Sequence, residues 1–237
     1  MENHNRYVAH IDVLGMSDLV KKSPDLAWEL LSQLVDVKKH AHDIQLTFID
    51  TNETIIAPDI VRAVTFSDTI LLFSKSNTPN DLRTIMVIAT EMLNKALSKC
   101  IPIRAGVSIG LFYFNLTESM YAGPALIEAY EIGEAAQWIG IVATEEVYKN
   151  AKRVGLQAGS KDLIIPARIP LKDGFHDGYA IDWPSVNPNN IRTEERLSGS
   201  MIYAGFDQYF GAYDSLHEVV RRKYENTASF INKSLNR

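Results

Sequence analysis

Two β-rich runs, Val61 to Phe66 and Thr69 to Ser74, are separated by only Ser67 and Asp68. A two-residue connection is long enough only for a tight antiparallel hairpin. This segment therefore fixes two adjacent strands with Asp68 at their tip, and its neighbours must complete the sheet. Before it, Tyr7 to Asp12 reads as a buried strand that runs through Leu14-Gly15 into a tight loop. Asp25 to about His42 follows, with Leu26, Leu30, Leu34 and Val37 at helical spacing behind the helix-starting Ser23-Pro24. After the hairpin, Asn77-Thr78-Pro79 opens an amphipathic helix through Ile85, Ile88, Met92 and Leu97. Ile103 to Ile109 then reads as a strand ending at Gly110. The resulting β-α-β-β-α-β order predicts an α+β fold of the ferredoxin-like palm type.

Gly123-Pro124 starts a further helix through about Gln137. Ile139 to Ala143 is a short strand, and Thr144-Glu145-Glu146 begins another helix. Beyond Ala151 the pattern is less regular. A hairpin is expected around Ile164 to Ile169 and Tyr179 to Trp183, then a polar stretch from Ser185 to Ser200. A last helix, roughly Tyr213 to Leu235, carries Leu216, Val219, Val220, Tyr224, Ala228 and Ile231 on one side. This divides the chain into a body, 1–184, and a C-terminal extension, 185–237, packed back on it.

With 237 residues, 46% of them hydrophobic, the chain can bury its own core. A formal charge of -5 excludes a whole-chain field that would hold nucleic acid. The single cysteine, Cys100, rules out an internal disulfide or a multi-thiolate zinc site and reads as a buried, inert thiol. No apolar signal core or run of 18 apolar residues is present, so a cytoplasmic location without membrane contact is expected.

In a palm, the end of the first strand and the tip of the second-third hairpin meet, and Asp12 and Asp68 occupy those places. Two adjacent carboxylates repel each other, and a pair of hard divalent cations relieves that repulsion while bridging phosphate oxygens. The competing reading makes Asp12 a helix cap and Asp68 a turn residue. Between them, Leu14, Gly15, Met16 and Ser17 offer backbone N–H groups to a triphosphate.

Four landmarks occur in order: His10-Ile11-Asp12-Val13-Leu14-Gly15-Met16-Ser17, Phe66-Ser67-Asp68-Thr69-Ile70-Leu71-Leu72-Phe73, Arg104-Ala105-Gly106-Val107-Ser108-Ile109-Gly110, and Gly123-Pro124-Ala125-Leu126. Together they resemble the class III nucleotidyl cyclases over roughly residues 7 to 183, and within that family the Pycsar anti-phage cyclases, which make cyclic CMP or cyclic UMP. The resemblance implies two Mg²⁺ or Mn²⁺ ions on Asp12 and Asp68 with help from the Val13 carbonyl. It also implies a nucleoside triphosphate substrate and a homodimer with sites across its interface. Lys172, in Pro170-Leu171-Lys172-Asp173-Gly174, resembles the family lysine that grips the triphosphate; a solvated hairpin lysine is the other account.

The sequence also departs from that family. Val64 stands where purine cyclases carry a base-selecting lysine. Ile127 and Glu131 stand where they carry an Asn and an Arg over ribose and α-phosphate. An apolar Val64 favours a pyrimidine, with Arg62 on the same strand face to meet a base carbonyl or else to lie on the surface, and Tyr130 to stack. CTP or UTP is thus expected, with a slight preference for UTP, and the cyclic product implies a separate cyclic-nucleotide-binding effector. A catalytically degenerate nucleotide-binding dimer and a palm-type polymerase are the alternatives. Of the dimer, the strand edge near Ile103 to Ile109 and the helix from Gly123 are the expected contact. His40 and His42 are expected on terminal helix carbonyls, His10 in the core or touching the site, and Arg192, Arg196, Arg221, Arg222 and Lys223 on a solvated face.

Overall fold

A computed structural model describes residues 4–48, 52–186 and 196–236. Its main strands and helices, in chain order, are β1 (Asn5–Val13), α1 (Met16–Lys22), α2 (Pro24–His42), β2 (Val61–Phe66), β3 (Thr69–Ser74), α3 (Pro79–Ser98), β4 (Ile103–Leu111), α4 (Pro124–Ala135), β5 (Gly140–Ala143), α5 (Glu145–Arg153), β6 (Ile164–Leu171), β7 (Gly174–Ile181) and α6 (Glu218–Leu235). One seven-stranded sheet has the order β6-β7-β5-β4-β1-β3-β2. Its pairs are antiparallel except β4 with β5, which run parallel because α4 crosses over between them. The expected βαββαβ palm with a C-terminal hairpin and helix is the architecture observed.

The central strands carry apolar residues on both faces because helices and chain cover both. On one side α2 and α3 pack Leu30, Leu34, Ile85, Ile88 and Met92 into the core. The start of α3 is set by a capping box: the Thr78 hydroxyl accepts from the Asp81 N–H, and Asp81 accepts from the Thr78 N–H at 3.0 Å. On the other side α4 lies directly on β4 and β1. A Cβ on Gly106 would sit 2.0 Å from the Ala129 carbonyl oxygen, and one on Gly133 would sit 2.7 Å from the Gly106 nitrogen. Glycine at both positions is what brings helix and strand backbones together.

Several expectations change on contact with the structure. β4 is paired with β1 along its length and with β5 over Arg104 to Val107, so it lies inside the sheet and is not an edge strand. The last helix starts at Glu218, because Tyr213–Ser215 forms a separate 3₁₀ turn. Val219 and Leu26, placed on apolar faces by spacing, are exposed. Cys100 is only partly buried and has a φ of 57°, which turns the chain out of α3 instead of leading straight into a strand. Short hairpins outside the main sheet, Gln45–Phe48 with Glu53–Ile56 and Tyr113–Asn115 with Met120–Ala122, carry too little pattern to be foreseen. Arg192 lies outside the described residues, as does the polar stretch from 187 to 195. No helix among the described residues is long and apolar enough to cross a membrane.

α6 closes on the body through buried Tyr224, Phe230 and Ile231 and through polar contacts that fix its register. Ile139 N–H donates to Thr227 Oγ1 at 2.9 Å, and Asn226 donates to the Gln137 carbonyl at 2.8 Å. The Ser234 hydroxyl bonds the buried Asp182 carboxylate.

Candidate active site

Asp12 is the penultimate residue of β1, opposite Thr69 on one side and Arg104 on the other. Asp68 sits in the two-residue turn joining β2 and β3, where Ser67 adopts a φ of 54°. Phe66 faces Thr69 across the turn. The helix-cap reading of Asp12 fails: the N-cap of α1 is Gly15, with a φ of 82° and no side-chain cap. Asp12 instead faces Arg104, whose Nη2 donates to Asp12 Oδ2 at 3.3 Å.

Arg104 organises the site from beneath. It is 7% exposed, donates through Nη1 to the Glu134 carbonyl at 2.8 Å, and pairs through Nη2 with the Glu134 carboxylate. The Gly106–Gly133 approach of α4 to β4 places Glu134 there. Burial pushes the Asp12 carboxyl up to about 6; the Arg104 guanidinium opposes the shift, while the negative charges of Asp68 and Glu134 add to it. His10, on the same strand face, is pulled below the usual histidine range chiefly by burial. It meets the Tyr130 ring edge-on at 5.2 Å.

The donor set suits a hard divalent cation. Asp12, Asp68 and the Val13 carbonyl present only oxygens, and burial together with the charges of Asp68 and Glu134 leaves Asp12 a poor anion in spite of the Arg104 guanidinium. Among the described residues no group of three or more His, Cys, Asp or Glu side chains could hold an ion alone. An ion here would complete its shell with main chain, water and phosphate, which is the habit of Mg²⁺.

The loop from Leu14 to Ser17 follows immediately. Leu14 N–H is tied to the Pro102 carbonyl at 2.8 Å; Leu14 and Met16 side chains are buried, whereas Gly15 and Ser17 are exposed. Phe210, from the C-terminal extension, lies 3.1 Å from where a Gly15 Cβ would stand.

Val64 lines an apolar cavity of about 590 Å³ together with His10, Phe66, Thr69, Ile127 and Tyr130. Arg62 is exposed and absent from that lining, so the structure does not bring it to the base wall. Lys172 is exposed and lines a neighbouring hollow with Tyr130, Glu131 and Glu134. His42 bonds the Val61 carbonyl of β2 at 2.7 Å instead of its own helix terminus. Arg222 is exposed and pairs with Glu218. Lys223 does not share that solvated face: it is half-buried and its charge interacts with Arg104, Glu134, Lys172 and Asp12.

Neither a family model nor a curated protein matches the sequence. Among solved structures, the catalytic core of a rhodopsin-guanylyl cyclase with converted specificity, in complex with ATPαS, superposes with a TM-score of 0.53 at 13% identity, over 76% of this chain and 96% of that one. The fold is that of a class III cyclase core. The adenylyl cyclase CyaB from P. aeruginosa and an adenylate/guanylate cyclase/hydrolase from Silicibacter pomeroyi also align, each at 12% identity and a TM-score of 0.48, over 75% and 76% of this chain and 93% and 98% of theirs.

Sequence patterning gives Arg104 and Glu134 no role in this cyclase-type core. A lone arginine between Ile103 and Ala105 in an apolar strand is the available signal, since a buried guanidinium requires a carboxylate partner. The partner's position in sequence depends on how α4 crosses the sheet.

Proposed function

We propose that the chain is a metal-dependent nucleotidyl cyclase that converts a pyrimidine nucleoside triphosphate, UTP or CTP, to the 3′,5′-cyclic monophosphate and pyrophosphate. The observation that carries this reading is the placement of Asp12 and Asp68 at one end of a cyclase-type sheet, with Asp12 partly buried between the Arg104 guanidinium and the negative charges of Asp68 and Glu134. Asp12, Asp68 and the Val13 carbonyl would hold two Mg²⁺ or Mn²⁺ ions. When bound, these supply Lewis acidity toward the 3′-hydroxyl and neutralise charge on the leaving pyrophosphate. The new bond joins O3′ to the α-phosphorus as the bond from that phosphorus to the α,β-bridging oxygen breaks; the 3′-hydroxyl proton passes to water and the electron pair leaves with pyrophosphate. Arg104 fixes the Asp12 carboxylate from below, the Gly15–Ser17 backbone and Lys172 receive the phosphate chain, and the Val64 and Tyr130 wall takes the base. The pyrimidine choice rests on Val64 and on the Pycsar resemblance, which also motivates a role in anti-phage signalling through a separate cyclic-nucleotide-binding effector.

A degenerate, nucleotide-binding dimer is the second reading. It is favoured by Ile127, 58% exposed on α4, and by Glu131 on the same helix, neither of which supplies a cation. Incubating the full chain with equal ATP, GTP, CTP and UTP and Mn²⁺, followed by mass spectrometry, separates the readings. Cyclic UMP or cyclic CMP, abolished in Asp12→Ala and Asp68→Ala, is expected. No cyclic product supports the binder, linear oligonucleotides point to a polymerase, and predominant cyclic AMP or cyclic GMP refutes the base assignment alone.

A further inference from the structure

We infer that Lys223, carried by the C-terminal helix α6, is a phosphate-binding residue of the site and grips the polyphosphate chain of the substrate from outside the segment that resembles a cyclase. Lys223 lines a cavity of about 480 Å³ together with Gly15, Lys22, Phe210 and His217, so α6 and the loop after β1 face the same space. Asp18 is the single carboxylate in that lining among the described residues.

The ammonium has no hydrogen-bond or ion-pair partner among the described residues, although the side chain is half-buried. Arg104 and Lys172 act on it as like charges, and Glu134 and Asp12 as opposite ones. Both of those carboxylates are already engaged by Arg104. A half-buried cation in the field of two others, with Glu134 and Asp12 already paired to Arg104 and Asp18 alone as a carboxylate in its own cavity, is an arrangement that an incoming polyanion completes. Consistently, burial and the Arg104 guanidinium hold the Lys223 pKa below the ordinary lysine value.

The inference rests on the cyclase reading only for the identity of the anion, and the test separates the two. Full-length wild type, Lys223→Met, Lys223→Arg and Lys233→Met are titrated calorimetrically with inorganic tripolyphosphate without metal, and assayed for the KM of the nucleotide substrate. Lys233 is exposed on the same helix and lines a different cavity. The expected result is binding weakened roughly tenfold to a hundredfold in Lys223→Met, largely restored in Lys223→Arg, and unchanged in Lys233→Met. The melting temperature of Lys223→Met should equal or exceed that of wild type, because an unpaired buried charge is removed. Tripolyphosphate binding by Lys223→Met at wild-type strength overturns the inference. If wild type forms no cyclic nucleotide yet binds tripolyphosphate in a Lys223-dependent manner, the cyclase reading falls and the anion site stands. If wild type cyclises and Lys223→Met keeps its KM, the reverse holds.

Discussion

Asp12 is worse off folded than unfolded whenever it is ionised. Its pKa rises from 3.8 to about 6 on folding, so below the lower value it is protonated in both states and costs nothing. Between the two values the unfolded chain loses the proton first, and stability falls as pH rises, reaching the full penalty above about 6. Asp12→Asn should therefore raise the melting temperature of the metal-free chain at pH 7.5 by about 2–4 °C, the shift that ~1 kcal/mol produces at this size. The gain should vanish near pH 4, and a variant less stable than wild type at pH 7.5 would show that the Arg104 bond outweighs burial. Residue by residue, legibility in the sequence follows locality. Asp12 and Asp68 are marked by strand end and turn, which neighbours in sequence define. Arg104, Glu134 and Lys223 acquire their roles from partners 30 or more positions away, which no local pattern encodes.

Elements with a strong period and a chemical stop are the ones the sequence specifies. β2 and β3 run from Val61 to Phe66 and from Thr69 to Ser74 as the pattern predicts, because a two-residue turn leaves the register no freedom. The start of α3 follows from Thr78-Pro79 for the same reason, with the capping box added. The start of α6 is missed because His217, not Ser or Thr, accepts the capping bond from Val219 N–H. The contact that matters most between elements is that of α4 on β4. Gly106→Ala would drive a methyl to 2.0 Å from a helix carbonyl that cannot rotate away. The helix must shift, taking Glu134 off Arg104. We expect a loss of about 3 kcal/mol or more, toward the upper end of overpacking costs, read as a lowered urea midpoint. A midpoint within error of wild type would mean that α4 rides freely on the sheet.

On the scale of the whole molecule, the site is open on one side, and that side is apolar. Phe66 is 83% exposed at the hairpin and Ile127 58% on α4, and both line the same cavity as Val64 and Tyr130. Water is a poor cover for such a surface, and a two-fold copy of the chain would bring the same groups against each other. With β4 interior to the sheet, the proposed isologous face draws on the β2–β3 hairpin and α4, not on a strand edge at Ile103 to Ile109. Phe66 then occurs twice in each interface. At about 2 kcal/mol for each buried aromatic lost, Phe66→Asp should weaken association on the order of a thousandfold. Because Phe66 is exposed in the protomer, circular dichroism and melting of the isolated subunit should not change. Sedimentation should show wild type as a dimer at micromolar concentration and Phe66→Asp as a monomer with cyclisation lost. A wild type that sediments as a monomer with full activity would place the complete site within one chain.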